Sequence, residues 1–149
     1  MIKTTAINLP NPEKMMITWD TGRRCNYDCT YCEISRHVTY SSYHSYEELF
    51  KTFEFIKEYT KIYNTAGQEV NIDFTGGEPT ANPALWKLAK HISDNEPNFS
   101  CGLTTNGVWN PRRTEEILDL FHGLTVSYHP EGNEKSKAHV LENIKRLGE

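Results

Sequence analysis

Four times along this chain a run of strand-forming residues gives way to an amphipathic helical run, and that rhythm leaves few folds open. Residues 15–20 read as a short buried strand. Ser45 and Glu48 then have the form of a capping box, and Leu49, Phe53, Ile56, Tyr59 or Thr60, and Tyr63 recur at helical spacing to about residue 64. Residues 69–75 alternate as a second strand, and Asn82 and Pro83 suit the N-cap and first position of a helix running to about residue 95. A third strand is expected over 99–105 with a helix over 112–121, and a fourth over 124–128 with a helix over 136–147. The last helix is expected to turn Val140, Leu141, Ile144 and Leu147 to one face. Successive strand-helix units predict an α/β fold with a parallel sheet, the helices serving as crossovers. In such folds ligands bind beyond the carboxyl ends of the strands, so the segments that follow the four strands share one rim.

Those segments carry unusual sequences. The first holds Cys25, Cys29 and Cys32, a CxxxCxxC run. Thiolates this close can converge on one metal centre, and the uneven spacing suits a cubane 4Fe-4S cluster better than a redox dithiol. Three cysteines would hold three of the cluster's four irons and leave one iron open for chemistry. Spacing alone also leaves open a structural zinc site, with Cys101 or a histidine as fourth ligand, and buried or redox cysteines. Cys101, apart from the others, is expected to pack as a small apolar residue.

Gly76-Gly77-Glu78-Pro79 follows the second strand. It reads either as a tight turn into the next helix or as a place where a ligand meets bare backbone, with Glu78 and nearby carbonyls accepting hydrogen bonds from an ammonium group. Thr104-Thr105-Asn106-Gly107 and Ser127 end the third and fourth strands, where their polar groups either satisfy local backbone or hold a carboxylate or ribose. His129 is a turn residue before Pro130, or else a substrate contact or proton carrier. Tyr27 and Tyr31 flank Cys29 as loop packing or as an aromatic wall. Arg23 and Arg24 read first as surface charge, and second as cations that would favour a reduced cluster. His37, His44, His91, His122 and His139 show no mutual ligand spacing.

Composition narrows the setting. With 16 basic and 20 acidic residues among 149, the net charge of -4 argues against general nucleic-acid binding. No apolar run is long enough to span a membrane, and the start lacks the pattern of a secretion signal, so no membrane partner and a cytoplasmic location are expected. A reducing compartment disfavours disulfides and favours metal ligation by clustered cysteines.

Taken together, these residues resemble the radical SAM superfamily. Its CxxxCx(aromatic)C signature is matched by Cys25, Cys29, Tyr31 and Cys32, and its GGE motif by Gly76, Gly77 and Glu78. The ends of strands three and four are similar in position. The resemblance implies that Cys25, Cys29 and Cys32 ligate a 4Fe-4S cluster whose open iron chelates S-adenosylmethionine. It implies that Gly76, Gly77 and Glu78 receive the methionine ammonium, that the backbone by Tyr31 lies near the adenine, and that Ser127, with Thr105 and Asn106, touches the carboxylate or ribose. One electron, from a donor such as a flavodoxin or ferredoxin, would cleave the cofactor to methionine and a 5'-deoxyadenosyl radical that abstracts hydrogen from a substrate the sequence does not identify.

The departure from that family is length. The resemblance implies a partial (βα) barrel, about four of the six βα units expected, in a single domain over 1–149 truncated at its C-terminus. A fragment, a half-barrel completed by a second chain or by self-association, and a minimal enzyme with an open site are the three readings. The competing functional class is a non-catalytic iron-sulfur or zinc-binding module that works only with a partner chain.

Overall fold

A computed structural model describes residues 14–32 and 41–148. The start of the chain and His37 lie outside the described residues. The strands are β1 (Lys14–Asp20), β2 (Glu69–Thr75), β3 (Phe99–Thr105) and β4 (Gly123–Val126), and the helices α1 (Tyr46–Tyr63), α2 (Pro83–Asn95), α3 (Thr114–Leu120) and α4 (Glu134–Leu147). Among the described residues all strand pairs are parallel, in the order β1-β2-β3-β4, and the four-stranded sheet is not closed. Trp19 pairs with Phe74, Phe74 with Leu103, and Leu103 with Leu124, so one register line crosses the sheet near its carboxyl edge.

Side chains alternate across each strand. Val70, Ile72 and Phe74, with Cys101 and Leu103, are buried in one core with Leu49, Phe53 and Ile56 of α1, Leu85, Leu88 and Ile92 of α2, and Ile117 and Leu120 of α3. The alternate positions are polar. There Ser100 donates to Asn71 at 3.1 Å and Thr104 donates to Asp73 at 3.1 Å. Among the described residues no helix is long and apolar enough to cross a membrane.

Local chemistry fixes most element ends. Ser45 and Glu48 form the capping box expected at the start of α1. Asn82 accepts from the Ala84 amide, with Pro83 in the first turn of α2.

Four details differ from the sequence reading. The helix expected over 112–121 is a 3-10 turn, Pro111–Arg113, followed by α3, because Asn110 caps the turn and Thr114 donates to the Pro111 carbonyl. The fourth strand stops at Val126, where its partner β3 also ends, so Ser127 and Tyr128 lie on the loop. In α1 Thr60 is the buried residue, while Tyr59 and Tyr63 are exposed. In α4, which starts at Glu134 through the Asn133 cap, Val140 and Asn143 face inward, and Leu141 and Ile144 are exposed at 52% and 42%. Asn143 explains that rotation, since its amide donates to the carbonyls of Gly107 and Trp109 in the loop after β3.

Candidate cluster and cofactor site

Pairing between β1 and β2 continues past both strands. Thr21 N donates to Thr75 O at 2.8 Å, Gly77 N to Gly22 O at 2.8 Å, and Glu78 N to Arg24 O at 2.9 Å. The residues just before Cys25 are thereby fixed to the segment that follows β2. The two glycines are needed for this contact. Gly76 has φ +127°, and a Cβ there would lie 2.5 Å from the Gly22 oxygen. A Cβ on Gly77 would fall on the Arg24 carbonyl.

Glu78 is 2% exposed, and both its oxygens already hold protein donors. Oε1 accepts from Thr105 Oγ1 at 2.7 Å and from the amide and hydroxyl of Thr80, while Oε2 accepts from Asn106 N at 2.7 Å. This carboxylate ties the end of β2 to the end of β3. Burial pushes its carboxyl above the usual range, against the pull of those donors. It does not line the cavity described next, whereas Gly76 and Gly77 of the same segment do.

A cavity of about 320 Å³ opens at the carboxyl ends of the strands. Cys25, Cys29 and Cys32 all line it, and none is in a disulfide. Of the other expected residues, Tyr31, Gly76 and Gly77, then Thr105, Asn106, Ser127 and His129, line it as well. Thr75, Thr104 and Tyr27 complete the wall. Thr75 carried no signal in the sequence beyond its place at the end of a strand.

Cys29 is buried, and His129 Nδ1 lies 3.6 Å from its sulfur. The Tyr31 hydroxyl also meets His129 Nδ1, the Tyr31 ring stacks on the imidazole at 5.8 Å and 5°, and Tyr27 meets it edge-on at 89°. Burial lowers the His129 pKa and so favours neutral imidazole. Asn106 Nδ2 donates to Asn26 Oδ1 at 2.6 Å and lies 4.0 Å from Cys25 Sγ, which brings the end of β3 onto the cysteine loop. The Ser127 amide donates to the Thr105 carbonyl. Arg24 turns away, donating to the Ser41 carbonyl and lying over Tyr43.

The donor set suits a metal cluster. Burial pushes the Cys25 thiol up, opposed by the Tyr27 amide and reinforced by the charges of Glu78, Cys29 and Cys32. A cationic iron core would reverse that repulsion by displacing the thiol protons. Cys25, Cys29 and Cys32 line one cavity, and among the described residues no three Cys, His, Asp or Glu side chains form a ready single-ion site. Cys101 is no fourth ligand, since it lies 2% exposed in the core and burial raises its pKa to about 12.

The sequence profile described as the Radical SAM superfamily matches residues 19–148. A GTP 3',8-cyclase of Aquifex aeolicus (strain VF5) is 33% identical over 127 residues, covering 85% of this chain and 38% of that protein. A GTP 3',8-cyclase of Staphylococcus haemolyticus (strain JCSC1435) is 29% identical over 125 residues, covering 82% of this chain and 36% of its own length. One of Campylobacter curvus (strain 525.92) is 34% identical over 85 residues, 57% of this chain and 25% of that protein. The chain therefore spans well under half the length of these relatives.

Proposed function

The chain belongs to the radical SAM superfamily, whose cofactors are a 4Fe-4S cluster and S-adenosylmethionine, and from that premise we propose how its own residues hold them. Cys25, Cys29 and Cys32 ligate three irons of the cluster. The Gly76 and Gly77 carbonyls, in the same cavity as the three thiols, would accept from the methionine ammonium. Ser127 and Asn106 contact the carboxylate or ribose, and the backbone at Tyr31 lies against the adenine. When bound, the cluster would supply the one-electron reduction that cleaves S-adenosylmethionine to methionine and opens the way to hydrogen abstraction from a substrate.

The observation that carries this reading is the meeting of all three thiols with the ends of β2, β3 and β4 in one cavity. The protein's part is to orient the cofactor and limit water around it. His129, packed between Tyr27 and Tyr31, closes the wall behind Cys29. A flavodoxin or ferredoxin supplies the electron. The relatives carry GTP in their name, which makes GTP the first substrate to assay.

Anaerobic reconstitution with iron and sulfide, followed by reduction with dithionite in the presence of S-adenosylmethionine, is expected to yield 5'-deoxyadenosine. No product from a fully loaded protein would sink the enzyme reading for this chain. Cys29→Ala is expected to abolish cluster loading, and full iron content in that variant would refute the ligand assignment. A non-catalytic module would load iron yet show no S-adenosylmethionine binding sensitive to Ser127→Ala.

A further inference from the structure

The cysteine loop is held from three directions, and two have been described: the backbone pairing to Gly77 and Glu78, and the bond from Asn106 to Asn26. The third comes from the loop between β4 and α4. Glu131 Oε2 accepts from the Thr30 amide at 2.8 Å, and its Oε1 accepts from the Thr30 hydroxyl at 2.6 Å. One carboxylate thus grips both donors of a residue that sits between Cys29 and Cys32, across 101 positions of sequence. The grip is aimed from both sides. On one side, Gly132 N donates to His129 O at 3.1 Å, closing a turn that presents Glu131. On the other, Cys32 N donates to Cys29 O at 3.1 Å, closing the turn that contains Thr30.

We propose that Glu131 is a positioning residue for the cluster: by clasping Thr30 it fixes the Cys29–Cys32 turn, and so the spacing of two of the three ligands. The inference rests on the ligand assignment proposed above. Glu131 touches neither sulfur nor cavity, so its effect passes through the loop. A charge-assisted bond to a backbone amide is among the stronger kinds, and a turn clasped at both donors of one residue loses rotational freedom that metal binding would otherwise have to remove.

The test uses the reconstituted chain and its Glu131→Ala, Glu131→Gln and Thr30→Val variants. Iron release to a chelator is followed by the cluster's visible absorbance, and exchange of the Thr30 amide is followed by NMR in iron-free protein. Glu131→Ala should release iron roughly three- to tenfold faster, the range left to an exposed charged bond after solvent screening. Its unfolding midpoint should not move. Glu131→Gln, which keeps an acceptor oxygen, should fall between. Thr30→Val should add little in the Glu131→Ala background, because both changes break one contact. Amide exchange at Thr30 should quicken in Glu131→Ala with no iron present. Wild-type iron release and wild-type Thr30 exchange in Glu131→Ala would overturn the proposal. If the wild-type chain loads no iron at all, the ligand assignment fails, and Thr30 exchange alone then decides whether the clasp exists.

Discussion

At Gly77 a missing side chain does structural work that a motif reading assigns to the ligand. The Arg24 carbonyl lies where its Cβ would be, and a clash of backbone with Cβ has no rotamer to relieve it. Gly77→Ala is therefore expected to push the 22–25 loop away, destabilising the chain by on the order of 2–4 kcal/mol and lowering iron loading together. Urea unfolding and iron analysis measure the two, and wild-type values for both would show that the loop yields freely. Glu78 makes a second case. With its carboxyl held above the ordinary value, the folded chain binds that proton more tightly than the unfolded chain does. Its contribution is therefore fully present below the unfolded value of about 4.3 and is lost as pH rises through the folded one. The stability advantage of wild type over Glu78→Gln should be largest near pH 4 and shrink towards neutrality in urea titrations. An advantage that grows with pH would mean that the four donors outweigh burial.

Among the elements, α4 is fastened by a polar residue. Asn143 is fully buried and donates to the Gly107 and Trp109 carbonyls at 2.9 and 3.0 Å. Asn143→Leu strands two buried carbonyls and should destabilise the chain by about 2–4 kcal/mol, read by thermal unfolding. A loss below about 0.5 kcal/mol would show that water replaces the amide. Asn143 also marks where sequence reading reaches its limit. The spans of β2, β3 and α2 were legible because alternation, the Asn82 cap and Pro83 are local signals. The inward face of α4 was not, because an asparagine is drawn inside only by carbonyls 34 and 36 positions away. The site divides in the same way. Cysteine spacing and the strand-end positions pointed to the cavity, whereas the inward commitment of Glu78 and the clasp of Glu131 on Thr30 depend on partners that only the fold brings near.

For the whole molecule the deciding feature is the open sheet. Among the described residues β1 and β4 are both edges, and an edge presents unpaired amides and carbonyls to any strand that reaches it. β4 is four residues long, and α3 and α4, which pack on each other near it in the chain, expose Leu118, Leu141 and Ile144. A second exposed apolar set, Phe55, Ile62 and Tyr63, lies on α1. If a second copy covers the β4 side, the chain should show concentration-dependent mass in sedimentation velocity. The double variant Leu141→Glu with Ile144→Lys should then be monomeric, with folding stability within about 0.5 kcal/mol of wild type, as befits exposed positions. Phe55→Glu on α1 should leave association unchanged, and the reverse pattern would move the contact to that helix. Should the pairing also complete the cavity, 5'-deoxyadenosine formed per chain would rise with protein concentration in wild type and stay flat in the double variant. A flat response in both would mean that one copy of the chain suffices.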